Sequence, residues 1–224
     1  MLGPIWISTD VQTLGRGRRG RDWVSQTGNL FCTGLYEFDG KLADAAKLSF
    51  AAALALTETL DDYIDPSLIT IKWPNDVLIG GDKAAGILLE SGIYEGRLWV
   101  AIGMGVNLLS SPQADNYSTT HLLAHIAKEK LVGENSVFTG TQPMIGKLAE
   151  RFEHWKNLYL KTGFTPVRDA WLARAQGIGG PVTAKLSNDI IEGIAQGMDE
   201  DGALELKTET GETVKIHAGD VFFS

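Results

Sequence analysis

The first half of the chain alternates short apolar runs with polar or glycine-containing turns, a pattern typical of β-strands. Residues 43–60 instead carry alanine and leucine at helical spacing, which predicts one buried helix. Because the strands are joined mostly by short turns, we expect an α+β fold in which a mixed or antiparallel sheet carries helices on one face. The runs that predict strands are 5–7, 30–38, 69–73, 77–79, 85–90 and 98–106.

The second half of the chain changes from helical to strand-like spacing. Apolar side chains on a shared face predict a helix that begins near Gln142, and a second helix is predicted over 165–175. Glycines within 177–180, followed by Pro181, then interrupt the chain. The change of pattern at this point indicates a domain boundary.

Short alternating segments after the boundary predict a small all-β module. They are separated by turn-forming residues at 187–189, 199–202 and 210–211. We therefore predict a larger domain over 1–176 and a small β-barrel over 177–224. A module of this size is short for independent stability, so we expect it to dock on the larger domain.

An arginine- and glycine-rich segment at 15–21 is the strongest chemical signal in the sequence. It reads GRGRRGR, so four guanidinium groups lie on a backbone that three glycines leave free to fold around a ligand. The whole chain nevertheless has a formal net charge of −8, from 20 lysines and arginines against 28 acidic residues. Positive charge focused in one loop of an acidic protein favours capture of a small anion over binding of nucleic acid.

Several other classes of protein are disfavoured by the sequence. The apolar segment 51–56 is too short to span a bilayer, and the first residues lack the basic start of a signal peptide. Cys32 is the single cysteine, so the chain has no internal disulfide and no cysteine-based metal cluster. A cytoplasmic protein without membrane contact is therefore expected.

Five segments of the chain follow one another in a distinctive order and spacing. They are QTLGRGRRGRDW at 12–23, GNL at 28–30, KWPND at 72–76, KAAGILLE at 83–90 and IGMGVNL at 102–108. In this order they resemble the motifs of biotin protein ligases, and the C-terminal run AGDV at 218–221 is similar to part of the SH3-like terminal domain of that family. The resemblance covers nearly the whole chain and implies a class II synthetase-like catalytic fold followed by a small SH3-like β-barrel.

The resemblance implies an ATP-dependent, AMP-forming ligase. Biotin and ATP would give biotinyl-5′-AMP and pyrophosphate, and the biotinyl group would pass to a lysine of a biotin carboxyl carrier protein domain. Arg18 and Lys83 are the implied catalytic residues, and Asp76 is the implied ligand of Mg²⁺. The family also makes homodimerisation through sheet edges an expectation.

The resemblance also assigns binding residues. Those implied for biotin are Gln12, Gly15, Arg16, Gly17, Arg18, Lys83 and Gly86. Those implied for ATP are Arg18, Arg21, Trp23, Lys72, Asn75, Asp76 and Asn107.

Structural roles compete with several of these assignments. Trp23 is equally consistent with a core residue, and Lys72 with a residue that supports its turn. Asn75 and Asp76 suit capping of that turn. Gly86, Gly103 and Gly105 interrupt strands, which fits either close approach of a ligand or, at Gly103 and Gly105, a β-bulge.

Two departures from the family are expected to matter. A Ser-Thr-Asn segment and a helix usually precede the first strand, and residues 8–10 lie too close to Gln12 to be that segment. No helix-turn-helix precedes the catalytic part, so repressor activity is not expected. Two other functions stay open: a lipoate or octanoate ligase, and a non-catalytic protein that binds biotin or nucleotide.

Overall fold

Two antiparallel sheets and four α-helices make up the part of the chain that the computed structural model describes, namely residues 4–114, 117–127, 140–186 and 189–223. The first sheet has six strands in the order β1-β2-β6-β5-β4-β3, and every neighbouring pair is antiparallel. Its strands are β1 (Ile5–Thr9), β2 (Leu30–Phe38), β3 (Ile69–Lys72), β4 (Asp76–Ile79), β5 (Asp82–Tyr94) and β6 (Arg97–Val106).

The helices cover one face of this sheet and bury the apolar side of its alternating strands. Even-numbered residues of β2 point toward them, and Tyr36 packs against Phe152 with ring centroids 5.1 Å apart. Odd-numbered residues such as Thr33 point to the opposite face, where the arginine-rich segment lies. The helices are α1 (Leu42–Ala46), α2 (Leu48–Asp61), α3 (Thr141–Thr162) and α4 (Thr165–Ala173).

The helix predicted over 43–60 is divided into α1 and α2. Lys47 ends the first helix and begins the second, with helical dihedral angles of −66° and −17°. Its ammonium lies 3.0 Å from a carboxylate oxygen of Asp201 in the C-terminal part of the chain. The prediction therefore covered the correct residues, but it was wrong to expect one continuous helix. Sequence periodicity does not reveal an interruption of a single residue.

The second sheet contains the five C-terminal strands in the order β10-β9-β8-β7-β11. One predicted turn is confirmed at Asp199, whose Oδ1 accepts hydrogen bonds of 2.9 Å from the backbone amides of Asp201 and Ala203. Residues 187 and 188 of another predicted turn lie outside the described residues. The strands are β7 (Pro181–Lys185), β8 (Ile190–Met198), β9 (Leu204–Lys207), β10 (Thr213–Ile216) and β11 (Asp220–Phe223).

The predicted α+β class with a small C-terminal β module is confirmed, and the first sheet is antiparallel throughout. The alternative of a β-bulge at Gly103 or Gly105 is wrong, since β6 keeps an unbroken register with both neighbours through these residues. Within the described ranges, no helix combines the length and apolar character needed to cross a membrane.

Candidate functional site

The arginine-rich segment forms a narrow hairpin on the face of the first sheet opposite the helices. The amide of Gly17 donates to the carbonyl oxygen of Arg21 at 2.7 Å, and the amide of Trp23 donates to that of Gly15 at 2.9 Å. Arg19 and Gly20, at its tip, have φ values of 57° and 72°. Since left-handed backbone favours glycine, Gly20 suits this reversal of the chain, whereas Arg19 adopts the same region at a conformational cost.

The hairpin sends its guanidinium groups in different directions. Arg16 forms a 3.0 Å ion pair with Glu90 at the exposed rim, and Arg21 forms a 2.9 Å ion pair with Asp220 of β11. Arg18 points inward and donates to Oδ1 of Asn75 at 3.3 Å. Burial lowers the pKa of Arg18, against the opposing effect of nearby carboxylates, but an arginine with so high an ordinary pKa stays charged.

A floor of two glycines supports the indole of Trp23. Gly86 and Gly105 are register partners on β5 and β6. A Cβ atom added at Gly105 would lie 2.5 Å from Cε2 of Trp23, and one added at Gly86 would lie 2.9 Å from Cζ3. Both glycines are therefore required by the close approach of this ring. Among the described residues, the buried Nε1 of Trp23 has no hydrogen-bond acceptor.

A cavity of about 200 Å³ lies beside this floor. Its lining combines arginine and lysine with apolar strand residues such as Leu88 and Met104, a set of side chains suited to a ligand with an apolar body and an anionic group. Of the residues implied for biotin, only Gly15 is not part of the lining, and it instead packs beneath the carbonyl oxygen of Trp23. The lining residues from that set are Gln12, Arg16, Gly17, Arg18, Lys83 and Gly86.

Lys83 lies at the wall between this cavity and a second one. Its ammonium is 2.8 Å from Oδ1 of Asp76, and both side chains are about one-fifth exposed. The same ammonium lies 5.6 Å from the centroid of the Trp23 ring and 5.2 Å from that of Tyr117. The residues that line both cavities are Arg18, Arg21, Asn75, Asp76, Lys83 and Tyr117.

The second cavity, of about 650 Å³, lies between the first sheet and the C-terminal module. It is lined by Lys72 in addition to the shared wall, so most residues implied for ATP meet here. Burial lowers the pKa of Lys72, and the carboxylates of Asp76 and Asp220 oppose this effect. The arrangement suits an extended polyanion better than a neutral ligand.

Two residues implied for ATP do not lie where that assignment suggests. Trp23 lines the smaller cavity, beside the residues implied for biotin. Asn107 lines neither cavity: its side chain is buried, and its Nδ2 donates to the carbonyl oxygen of Thr120 at 3.0 Å. The geometry of Asn107 therefore corresponds to a structural contact between the end of β6 and the segment that follows.

The structure adds residues that sequence reasoning missed. Thr33 and Leu88 line the smaller cavity because they share the strand face opposite the helices, and strand alternation was the signal for both. Gly103, which the sequence analysis considered for close approach of a ligand, lines the same cavity. Tyr117 and the C-terminal residues at the larger cavity carry no comparable signal, since they reach it through loops and domain packing. In the described ranges, no group of three or more potential ligands could hold a metal ion by itself.

Two family models match the sequence. The model described as "Biotin/lipoate A/B protein ligase family" matches residues 4–107, and the model described as "Biotin protein ligase C terminal domain" matches residues 177–224. Together they cover the hairpin, the glycine floor and the C-terminal module.

Individual proteins support the same conclusion. The biotin–[acetyl-CoA-carboxylase] ligase of Paracoccus denitrificans is 40% identical over an alignment that covers 100% of this chain and 92% of that protein. The bifunctional ligase/repressor BirA of Bacillus spizizenii is 33% identical, over 96% of this chain and 65% of that protein. A structure of the biotin protein ligase from Aquifex aeolicus in complex with biotin and ATP matches with a TM-score of 0.75 and 25% identity, covering 98% of this chain and 89% of that one. The chain belongs to the biotin protein ligase family.

Proposed function

We propose that the protein is an ATP-dependent ligase that converts biotin to biotinyl-5′-AMP and then transfers biotin to a lysine of a carrier protein. The observation that carries this function is the cationic wall formed by Arg18 and Lys83, which two adjoining cavities share. A carboxylate in one cavity and a polyphosphate in the other would meet at this wall. Full-length similarity to a biotin–[acetyl-CoA-carboxylase] ligase supports the choice of substrates.

The first chemical step brings two anions together. An oxygen of the biotin carboxylate forms a bond to the α-phosphorus of ATP, the bond between that phosphorus and the bridging oxygen breaks, and pyrophosphate leaves. Fixed cations lower the barrier because they neutralise charge that accumulates in the transition state. Arg18 and Lys83 would act on the reacting groups, whereas Arg21 and Lys72 would hold the phosphates farther along.

The remaining binding assignments follow from the two cavities. Gln12, Arg16, Gly17 and Gly86 would surround biotin, while Asn75 and Asp76 would lie beside the nucleotide. Asn107 is left out because its side chain is buried away from both cavities. Trp23 is assigned to the biotin side, since its indole forms one wall of the smaller cavity.

Mg²⁺ is part of the proposal through Asp76. Protein sites for this ion often supply one or two carboxylates and leave the other positions to substrate phosphates and water. Asp76 lines the larger cavity, so its carboxylate fits that role once Lys83 turns toward the substrates. The ion would reduce the negative charge of the phosphates during attack.

The second step requires a protein partner. A lysine amine of a biotin carboxyl carrier protein domain would attack the carbonyl carbon of the mixed anhydride, and AMP would leave. We assign the chemistry to a catalytic domain over 1–176 and propose an accessory SH3-like domain over 177–224. Cytoplasmic location, homodimerisation through a sheet edge and lack of nucleic-acid binding stay predictions.

The test is exchange of labelled pyrophosphate into ATP with biotin, with lipoate and without acid. We expect exchange with biotin alone, and a loss of roughly 100-fold or more in Lys83→Met, since removal of one preorganised charge costs about that much. Lys161→Met, on an exposed residue at the end of α3, is the matched control and should retain exchange. Exchange that depends on lipoate would reassign the substrate, and binding of biotin without exchange would indicate a non-catalytic protein.

A further inference from the structure

Both backbone polar groups of Lys83 are held by one short segment, residues 117–120. The amide of Lys83 donates to the carbonyl oxygen of Ser118 at 3.0 Å, and the carbonyl oxygen of Lys83 accepts from the amide of Thr120 at 2.9 Å. The segment is fixed in turn by Asn107 at the end of β6, whose Nδ2 donates to the carbonyl oxygen of Thr120 at 3.0 Å. The backbone of Lys83 therefore determines where the first residue of this segment lies.

That first residue, Tyr117, places its ring beside the ammonium of the same lysine. Nζ of Lys83 is 5.2 Å from the centroid of the Tyr117 ring and 5.6 Å from that of Trp23. Both distances lie within the range of about 6 Å over which an aromatic face attracts a cation. The Lys83 side chain is only 18% exposed, and partial removal from water strengthens this attraction. Two rings from different parts of the chain thus enclose one ammonium.

Asp76 is the third group around this ammonium, with its Oδ1 at 2.8 Å. A carboxylate neutralises the lysine, so the charge of Lys83 acts fully on substrates only when this ion pair opens. An aromatic ring attracts a cation without carrying a net charge of its own, so it can hold the ammonium after Asp76 turns away. Tyr117 lines both cavities, and its ring therefore lies where the two substrates would meet.

We propose that Tyr117 is a positioning residue for the adenylation step: its ring, together with that of Trp23, keeps the Lys83 ammonium at the wall between the two cavities. The inference rests on the proposed function, because that reaction supplies the carboxylate and the phosphate on which the ammonium acts. Tyr117 acts through Lys83 and not on the reacting atoms. Its hydroxyl is not required, since the attraction comes from the face of the ring.

The first test replaces Tyr117 by leucine, which keeps an apolar side chain and removes the ring. We expect the kcat of biotin-dependent pyrophosphate exchange to fall about fivefold, the usual effect of one partly shielded cation–π contact, while the KM for biotin stays within about twofold. Tyr117→Phe should retain nearly all of the kcat, because it keeps the ring face. Tyr94→Leu, on an exposed tyrosine at the end of β5, is the matched control and should behave as the unmodified protein.

A double-mutant cycle with Lys83→Met shows whether the ring acts through the lysine. If it does, Tyr117→Leu changes the residual kcat of Lys83→Met by less than about twofold, because the partner of the ring is already gone. Two residues that act independently would lower the kcat by the product of their separate factors, which would contradict the proposal. A rise confined to the KM for ATP in Tyr117→Leu, with an unchanged kcat, would also contradict it and would make the ring a wall of the nucleotide cavity.

The position of Lys83 can also be measured without turnover. In protein labelled with ¹³C-lysine, the ε-methylene signal of Lys83 is identified by its absence from Lys83→Met, and rings that face the ammonium should shift it upfield. The contribution of Tyr117 to this shift should disappear in Tyr117→Leu and persist in Tyr117→Phe and Tyr94→Leu. That result supports the contact even in a protein that fails to exchange. Normal exchange by the unmodified protein, together with an unchanged kcat and Lys83 signal in Tyr117→Leu, would overturn the inference and leave the ligase function intact.

Discussion

At the scale of single residues, the site requires two glycines, because any larger side chain at either position would overlap a neighbouring ring. Gly86 and Gly105 face each other on neighbouring strands, and their missing Cβ atoms leave room for the Trp23 indole. Gly105 contributes less packing to the strand than a larger residue would. Its lack of a side chain lets the Trp23 ring lie flat on the sheet, beside the cavity that we assign to biotin.

Gly105→Ala tests this floor. The new Cβ would lie within 2.7 Å of three atoms of the Trp23 ring, so we expect the ring to be displaced and biotin affinity to fall. The KM for biotin in pyrophosphate exchange should rise roughly tenfold, and unfolding should be easier by about 1–3 kcal/mol, the usual effect of overpacking.

Gly92→Ala is the matched control for Gly105→Ala. Gly92 lies in β5, the neighbour of β6 in the same sheet, but an added Cβ there has no neighbour within 4 Å. It should leave the KM for biotin unchanged. Equal effects of the two substitutions would show that loss of a strand glycine, and not contact with Trp23, causes the change.

At the scale of elements, charged contacts join the end of α2 to the interior of α3. Asp62 follows α2, and its carboxylate receives hydrogen bonds from Arg151 and Lys147 of α3, each 2.8 Å at the shortest. These bonds, with that from Arg151 as the largest cause, lower the pKa of Asp62. The pair of helices therefore contributes stability that depends on pH.

The direction of this dependence follows from the lowered pKa. A carboxyl with a lower pKa in the folded protein adds stability above its unfolded pKa, about 3.9, and loses it as the pH falls through the folded value. At pH 7 we expect Asp62→Asn to reduce the free energy of unfolding by about 1 kcal/mol, a modest value because the contact is partly exposed to water.

Urea denaturation between pH 7 and pH 3 would measure this difference. The gap between Asp62→Asn and the unmodified protein should shrink as the pH falls below about 4. Asp39→Asn is the control, because Asp39 is exposed and forms no ion pair within the described ranges. A gap that does not change with pH would contradict the assigned role of the ionised carboxylate.

At the scale of the whole molecule, the two modules contact each other and both line the larger cavity. The indole of Trp73 donates to the carbonyl oxygen of Gly202 at 3.0 Å, and Phe50 of α2 lies directly beside Gly202. Phe50 also packs against Trp171 of α4, with ring centroids 5.7 Å apart. The C-terminal module is therefore attached to both helices and site loops of the larger domain.

Gly202→Ala probes this attachment. Gly202 has φ of 89°, and a Cβ atom there would lie 2.6 Å from Cε2 of Phe50. Gly211→Ala introduces the same kind of backbone strain, with φ of 85°, but meets no atom within 4 Å. We expect the positive φ to destabilise both variants by about 1 kcal/mol. Gly202→Ala should lose a further amount of about 1–3 kcal/mol, because its Cβ overpacks against Phe50.

Thermal unfolding of the two glycine variants would measure how much the contact between the modules contributes to stability. If the modules unfold together, Gly202→Ala lowers the midpoint of a single transition more than Gly211→Ala does. Its KM for ATP should also rise, because residues of the C-terminal module line the larger cavity, which we assign to ATP. Equal midpoints for the two variants would argue that the modules are energetically independent.

Local sequence was sufficient for most elements and for the chemistry of the main motif. The apolar runs 30–38 and 98–106 predicted both strands, and their alternation contains the face that each side chain takes, because the side-chain period of a strand is two residues. The combination of arginine and glycine at 15–21 indicated an anion-binding loop, because guanidinium groups and flexible backbone serve that purpose wherever the loop lies.

Only the tertiary structure decided how these parts meet. The contact between Arg21 and Asp220 joins residues 199 positions apart, and no periodicity or spacing records such a pairing. The same holds for Lys72 and Lys185 around Phe222, for Trp23 on its glycine floor and for Asn107 turned into the interior. Local sequence sets backbone preferences and side-chain chemistry, whereas the position of one element on another depends on packing across the whole chain.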